Sequence, residues 1–163
     1  MLPAEARPSS KVLVTGMSGT GKSTALHELR KLGHRTVDTD TDEWSYWVTL
    51  ANGSSDWIWR EEAINDLLAG HHEGAIFIAG CKTNQGMFYS QFDRIVLLSA
   101  PADVLLTRIA ARSTNSYGQR PEERAAILAN LAVVEPRLRA TATVEIDASA
   151  PIDAVVRQLA ELA

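Results

Sequence analysis

Short apolar runs alternate with stripes of helical spacing along most of this chain. Residues 11–15 (KVLVT) are a β-branched run that stops at Gly16 and predict a buried strand. Over residues 23–32 the apolar positions Ala25, Leu26, Leu29 and Leu32 recur at the period of a helix, and Gly33 marks its end. A second short strand is expected over 34–37. Residues 43–52 fit either a helix or a strand, and 52–56 (NGSSD) read as a turn. Ile58, Ala63, Ile64, Leu67 and Leu68 predict a helix over 57–69 that closes at Gly70. The near-continuous apolar runs 75–79 (AIFIA) and 95–98 (IVLL) suit strands covered on both faces. Helices are predicted over 102–112, 122–134 and 152–162, with a last strand over 143–146. Strand and helix patterns in alternation indicate an α/β layered fold with a mostly parallel sheet.

Composition narrows the partners. With 163 residues, 45 % of them hydrophobic, the chain suffices for one core, so residues 1–163 are read as a single domain behind a loose lead-in over 1–10. The net charge of -4 comes without a long basic run, which argues against nucleic acid as a partner. No apolar run approaches the roughly 18 residues that a membrane helix requires. Cys81 is the single cysteine and has no internal partner, so a reducing, cytoplasmic setting is the expectation.

The first chemistry lies where the first strand meets the first helix. Gly16, Met17, Ser18, Gly19, Thr20, Gly21, Lys22 and Ser23 match G-x-x-x-x-G-K-[ST] at every fixed position. Glycines let backbone N–H groups turn inward around an anion, and the helix that follows, through Thr24, presents its positive end to the same point. Lys22 is expected on the β- and γ-phosphates of ATP and the Ser23 hydroxyl on Mg²⁺.

A second group follows the second strand. Thr39 separates Asp38 from Asp40, so in an extended segment both carboxylates point the same way. Asp38 is assigned to the metal and Asp40, nearer the open side, to the acceptor hydroxyl as base. The alternative is that these acids cap a helix starting near Thr41 or Asp42, and for Asp42 the cap is the preferred reading. No acid ends the strand 75–79, so the metal role falls to the earlier pair. Arg108 and Arg112 share one helix face before a polar stretch, residues 113–120, that reads as a lid over the transferring phosphates.

The acceptor side is placed in residues 41–70. All four tryptophans, Trp44, Trp47, Trp57 and Trp59, fall there, and a pocket wall that includes Trp57 is expected from them. Arg60 could bind an anionic group, while Gly80, Lys82, Asn84 and Gln85 follow the third strand at the same sheet edge, where the last three offer hydrogen bonds to a polyol or a base.

With these residues in view, the chain resembles small phosphate-loop kinases of the adenylate kinase, shikimate kinase and gluconate kinase type over nearly its whole length. The resemblance rests on the loop 16–23, DTD at 38–40, WRE at 59–61, AGC at 79–81, RIAAR at 108–112 and EIDASAP at 145–151. It implies a five-stranded parallel sheet ordered 2-3-1-4-5, with adenine between Arg108 and the loop carrying Asp147, Ala148 and Pro151. The Asp pair and Arg60 are similar to shikimate kinase, but AGC replaces a glycine run and Val134 stands where a second acceptor-binding arginine is expected. The function implied is transfer of the γ-phosphoryl group of ATP, with Mg²⁺, to a hydroxyl of a small molecule, by a monomer or homodimer. A nucleoside monophosphate kinase and a nucleotide-binding module without an acceptor are the alternatives.

Overall fold

The structure, a computed structural model, describes residues 8–112 and 117–163. Its centre is β1 (Ser10–Thr15), whose last four residues are buried because parallel neighbours lie on both edges and helices on both faces. β5 (Ala75–Ala79) pairs with one edge and β6 (Arg94–Ser99) with the other, while β2 (Arg35–Asp38) and β7 (Val144–Asp147) close the five-stranded sheet in the order β2-β5-β1-β6-β7. Counted along the chain within this sheet alone, that is the expected order 2-3-1-4-5. Alternate residues serve opposite faces. Val12, Val14, Phe77, Val96, Leu98 and Ile146 pack on α1 (Lys22–Lys31) and α5 (Ile152–Ala160). Leu13, Ile76, Ile78 and Ile95 pack on α2 (Glu61–Ala69) and on the 3₁₀ segment Gln85–Gln91.

Residues 57–69 are not one helix. Ser45–Thr49 (β3) and Ser55–Trp59 (β4) form an antiparallel hairpin outside the main sheet, and α2 begins only at Glu61. Trp57 and Ile58 fit helical spacing toward Ile64, but cross-strand pairing wins: the Trp47 and Trp57 rings meet with centroids 5.2 Å apart. The turn is also earlier than 52–56. Leu50 N–H donates to Ser54 O at 2.7 Å, and Ser55 and Asp56 already belong to β4.

α3 (Ala102–Ala111) agrees with its pattern, but α4 (Pro121–Thr141) runs well past Val134 and through Pro136. Proline removes one helical hydrogen bond, that to the carbonyl of Ala132. Both residues are exposed, so water can take the place of the missing N–H. Among the described residues no helix is long and apolar enough to cross a membrane. Of the lead-in and the lid, residues 1–7 and 113–116 lie outside the described residues.

Candidate functional site

A cleft of about 1270 Å³ opens at the carboxyl ends of β1, β2 and β5, where parallel sheets present loops to ligands. All of Gly16 to Thr24 line it. Gly16 has φ 151°, and a Cβ there would run into the Leu98 carbonyl oxygen, so the tight exit from β1 needs glycine. Thr20 is buried and its Oγ1 donates to Met17 O at 2.8 Å, which closes the loop on itself. Lys22 Nζ donates to Gly16 O at 2.5 Å and Met17 O at 3.1 Å, so the ammonium lies folded along the loop. Burial lowers its pKa below that of a free lysine, against the opposing charges of Asp38 and Asp40.

The acidic pair divides between two directions. Asp38, the last residue of β2, accepts the Ser23 hydroxyl on Oδ2 at 2.8 Å. A hydroxyl and a carboxylate side by side at the phosphate loop suit a hard divalent cation completed by phosphate and water oxygens. Among the described residues no group of three or more His, Cys, Asp or Glu side chains could hold a metal alone. Thr39, fully buried between the two acids, donates to Ala79 O at 2.6 Å and receives the Trp59 indole N–H at 2.7 Å. This anchor pins the segment to the end of β5. Asp40 is thereby turned to the outer part of the cleft, where its Oδ1 accepts both Lys82 Nζ at 2.8 Å and Trp57 Nε1 at 2.7 Å. No helix starts at Thr41 or Asp42, so none of these acids is a helix cap: Thr41 O accepts the N–H groups of Trp44 and Ser45 in a turn leading into β3.

Arg108 of α3 and Arg112 just past its end also face the cleft. Arg108 Nη1 donates to Gly19 O at 3.3 Å and Arg112 Nη2 to Tyr117 O at 3.0 Å, and both line the cleft. Of the residues expected around the base, Ala148 lines the cleft together with Ala150 and Ile152. Asp147 instead folds back onto Ser149, whose hydroxyl and backbone N–H hold its carboxyl below the usual aspartate range, with Arg108 adding to the effect. Pro151 is the residue before α5 and sets its start.

On the acceptor side the expectations separate. Lys82 and Gly80 line the cleft, whereas Trp57, expected in its wall, does not and touches it only through its N–H on Asp40. Gly80 is also a packing residue, since a Cβ would come within 2.6 Å of Thr39 Oγ1 and 2.9 Å of the Trp59 ring. Asn84 does not face the cleft; its side chain brackets Trp59, accepting the backbone N–H at 3.1 Å and donating to the carbonyl at 3.0 Å. Arg60 donates through Nε to Asp42 O at 2.9 Å, with its guanidinium 4.9 Å from the Tyr46 ring centre, and it does not line the cleft. Gln85 lines the cleft as expected, whereas Asp56, Thr83 and Tyr89 line it without having been expected there. Asp56 was hidden by its place in an assumed turn. Tyr89 was hidden because a 3₁₀ segment has no distinctive period.

A family model described as an AAA domain matches residues 12–129, well over half of the chain. No curated protein matches by sequence. In fold, the chain is similar to shikimate kinase from Acinetobacter baumannii, solved in complex with shikimate, at 18 % identity and TM-score 0.65, covering 94 % of this chain and 92 % of that one. Shikimate kinase from Bacteroides thetaiotaomicron gives 20 % identity and TM-score 0.65 over 94 % and 97 %. A gluconokinase from Sinorhizobium meliloti 1021 gives 17 % identity and TM-score 0.59 over 96 % and 93 %. The fold is thus that of the small phosphate-loop kinases.

Proposed function

Starting from a chain that belongs to the AAA domain family, we propose that it is an ATP-dependent phosphotransferase that moves the γ-phosphoryl group of ATP to a hydroxyl of a small molecule. The observation that carries this reading is the division of labour in the acidic pair: Asp38 meets Ser23 at the loop, and Asp40 faces outward with Lys82 and Trp57. The loop from Gly16 to Ser23 holds the phosphates, and Lys22 swings from the loop carbonyls to their oxygens. Ala148 and Ala150 border the base beside Arg108.

Ser23 and Asp38 are the residues that would hold Mg²⁺, which when bound offsets phosphate charge. Asp40 accepts the proton of the acceptor hydroxyl as its oxygen approaches the γ-phosphorus. Arg108 and Arg112 lie where charge builds on the transferring group. Asp40 and Asp56 in the acceptor half oppose an acceptor that is itself a phosphate, which places nucleoside monophosphates behind hydroxyl acceptors. The test is a screen of nucleosides, nucleotides, sugar acids and antibiotics for acceptor-stimulated release of ADP, with mass detection of a phosphorylated product. A product made by the wild type and lost with Lys22→Ala supports the reading. ADP release that no acceptor stimulates would sink it in favour of a nucleotide-binding module.

A further inference from the structure

The acceptor half of the cleft holds a chain of hydrogen bonds whose directions can be assigned from donor chemistry alone. Gln85, the first residue of the 3₁₀ segment, lines the cleft and is only 2 % exposed. A backbone N–H can only donate, so the atom that meets the Lys82 N–H at 2.8 Å is the amide oxygen, Oε1. The other end of the amide is then Nε2, which has two protons and no lone pair to offer. It gives them to Thr15 Oγ1 at 3.1 Å and to the Tyr89 hydroxyl at 3.0 Å. A flip of this buried amide would set N–H against N–H at Lys82, so it keeps one orientation.

The consequence falls on Tyr89. Its oxygen receives the Gln85 N–H, so its own proton is left to donate elsewhere, and among the described residues no protein group takes it. Tyr89 is half-buried and lines the cleft. Its ring packs against the cluster that holds Trp59 and Phe88, not the one that holds Ala148, which puts it on the acceptor side of the sheet. The same amide reaches the base: Lys82, held by Gln85 at its N–H, holds Asp40 Oδ1 through Nζ at 2.8 Å. Thr15, the last residue of β1, ties the chain to the start of the phosphate loop. Asp40, Lys82, Gln85 and Tyr89 are thus one connected unit, with the base at one end and an unspent O–H at the other.

We propose that Tyr89 is a specificity-determining residue for the acceptor: its O–H donates to a second oxygen of the molecule whose reacting hydroxyl Asp40 receives. Gln85 is the positioning residue that keeps Tyr89 a donor. The inference rests on the kinase reading above and deepens it. The acceptor it selects carries, beside the reacting hydroxyl, an oxygen that presents a lone pair, whether of a hydroxyl, an ether or a carbonyl. An ammonium in that place has only N–H groups to offer and cannot receive the phenol proton.

The experiment takes the compounds of the screen that are phosphorylated, beginning with adenosine, gluconate and shikimate, and measures KM and kcat in the wild type and in Tyr89→Phe, which removes the hydroxyl and keeps the ring. The KM for the acceptor should rise about three- to tenfold, the worth of one uncharged hydrogen bond, with kcat and the KM for ATP little changed. In a series of singly deoxygenated forms of that acceptor, loss of one particular oxygen should cost the wild type the same factor and cost Tyr89→Phe nothing further. Gln85→Met should raise the same KM, and in the Tyr89→Phe background it should add nothing to it. The deoxygenated series and Tyr89→Phe decide the inference if Gln85→Met does not fold. An unchanged acceptor KM in Tyr89→Phe, or a rise in the KM for ATP in its place, would overturn the inference and leave the kinase reading standing. No phosphorylated product from any compound of the screen would overturn both.

Discussion

Asp40 can serve as a base only if it is ionised when the acceptor arrives, and its surroundings decide that. Burial acts to raise its pKa, but the hydrogen bond and charge of Lys82, then the Trp57 N–H and the charge of Lys22, outweigh it and hold the carboxyl below its ordinary 3.8. A lowered native pKa contributes stability that is complete above the unfolded value and is lost as pH falls through the native one. The same sign governs activity: the acidic limb of kcat/KM should lie below the ordinary aspartate range. In Lys82→Met the main opposing charge is gone, so the limb should move upward, and an unmoved limb in a pH profile would remove Lys82 from this role. Lys82 and Asp40 are 42 residues apart, and no local pattern could have paired them. Lys22 and Ser23, by contrast, were legible because the phosphate loop encodes its chemistry in contiguous spacing.

At the scale of elements, the join between β2, β4 and β5 decides where the two aspartates point. Thr39, Trp59 and Gly80 meet there: the indole N–H reaches Thr39 Oγ1 at 2.7 Å, and Gly80 leaves the room that the ring fills. Gly80→Ala should cost about 1–3 kcal/mol, as overpacking of a filled core does, and lower Tm by several degrees in a thermal melt. If catalysis depends on this anchor, kcat should fall in the folded variant as well. The inner strands β1, β5 and β6 were legible because their continuous apolar runs, bounded by turn residues, are too short to make a buried helix. The hairpin was not, because its strands carry tryptophans whose pairing is a tertiary matter and whose spacing also fits a helix. α4 was read short because Pro136 signals a stop, and only its exposed position lets the helix continue.

For the molecule as a whole, the order 2-3-1-4-5 places the phosphate loop at the centre of the sheet, with Arg108 and Ala148 to one side and Asp40 and the hairpin to the other. Strand and helix alternation alone pointed to this class of fold; the resemblance to known kinases supplied the order. The arrangement predicts that ATP with Mg²⁺ stabilises the whole fold, by about 2.7 kcal/mol at a hundredfold excess over Kd, read as a rise in Tm. Asp38→Asn should shrink the part of that rise that requires Mg²⁺ while leaving the metal-free part in place. Equal shifts in both proteins would take Asp38 out of the metal site.

The most direct test compares the wild type and Asp40→Asn for transfer of labelled γ-phosphate from ATP to a hydroxyl acceptor under single-turnover conditions. Loss of a general base predicts a fall of about 10²- to 10⁴-fold in the transfer rate, with nucleotide binding retained. Transfer at the wild-type rate by Asp40→Asn would contradict the account.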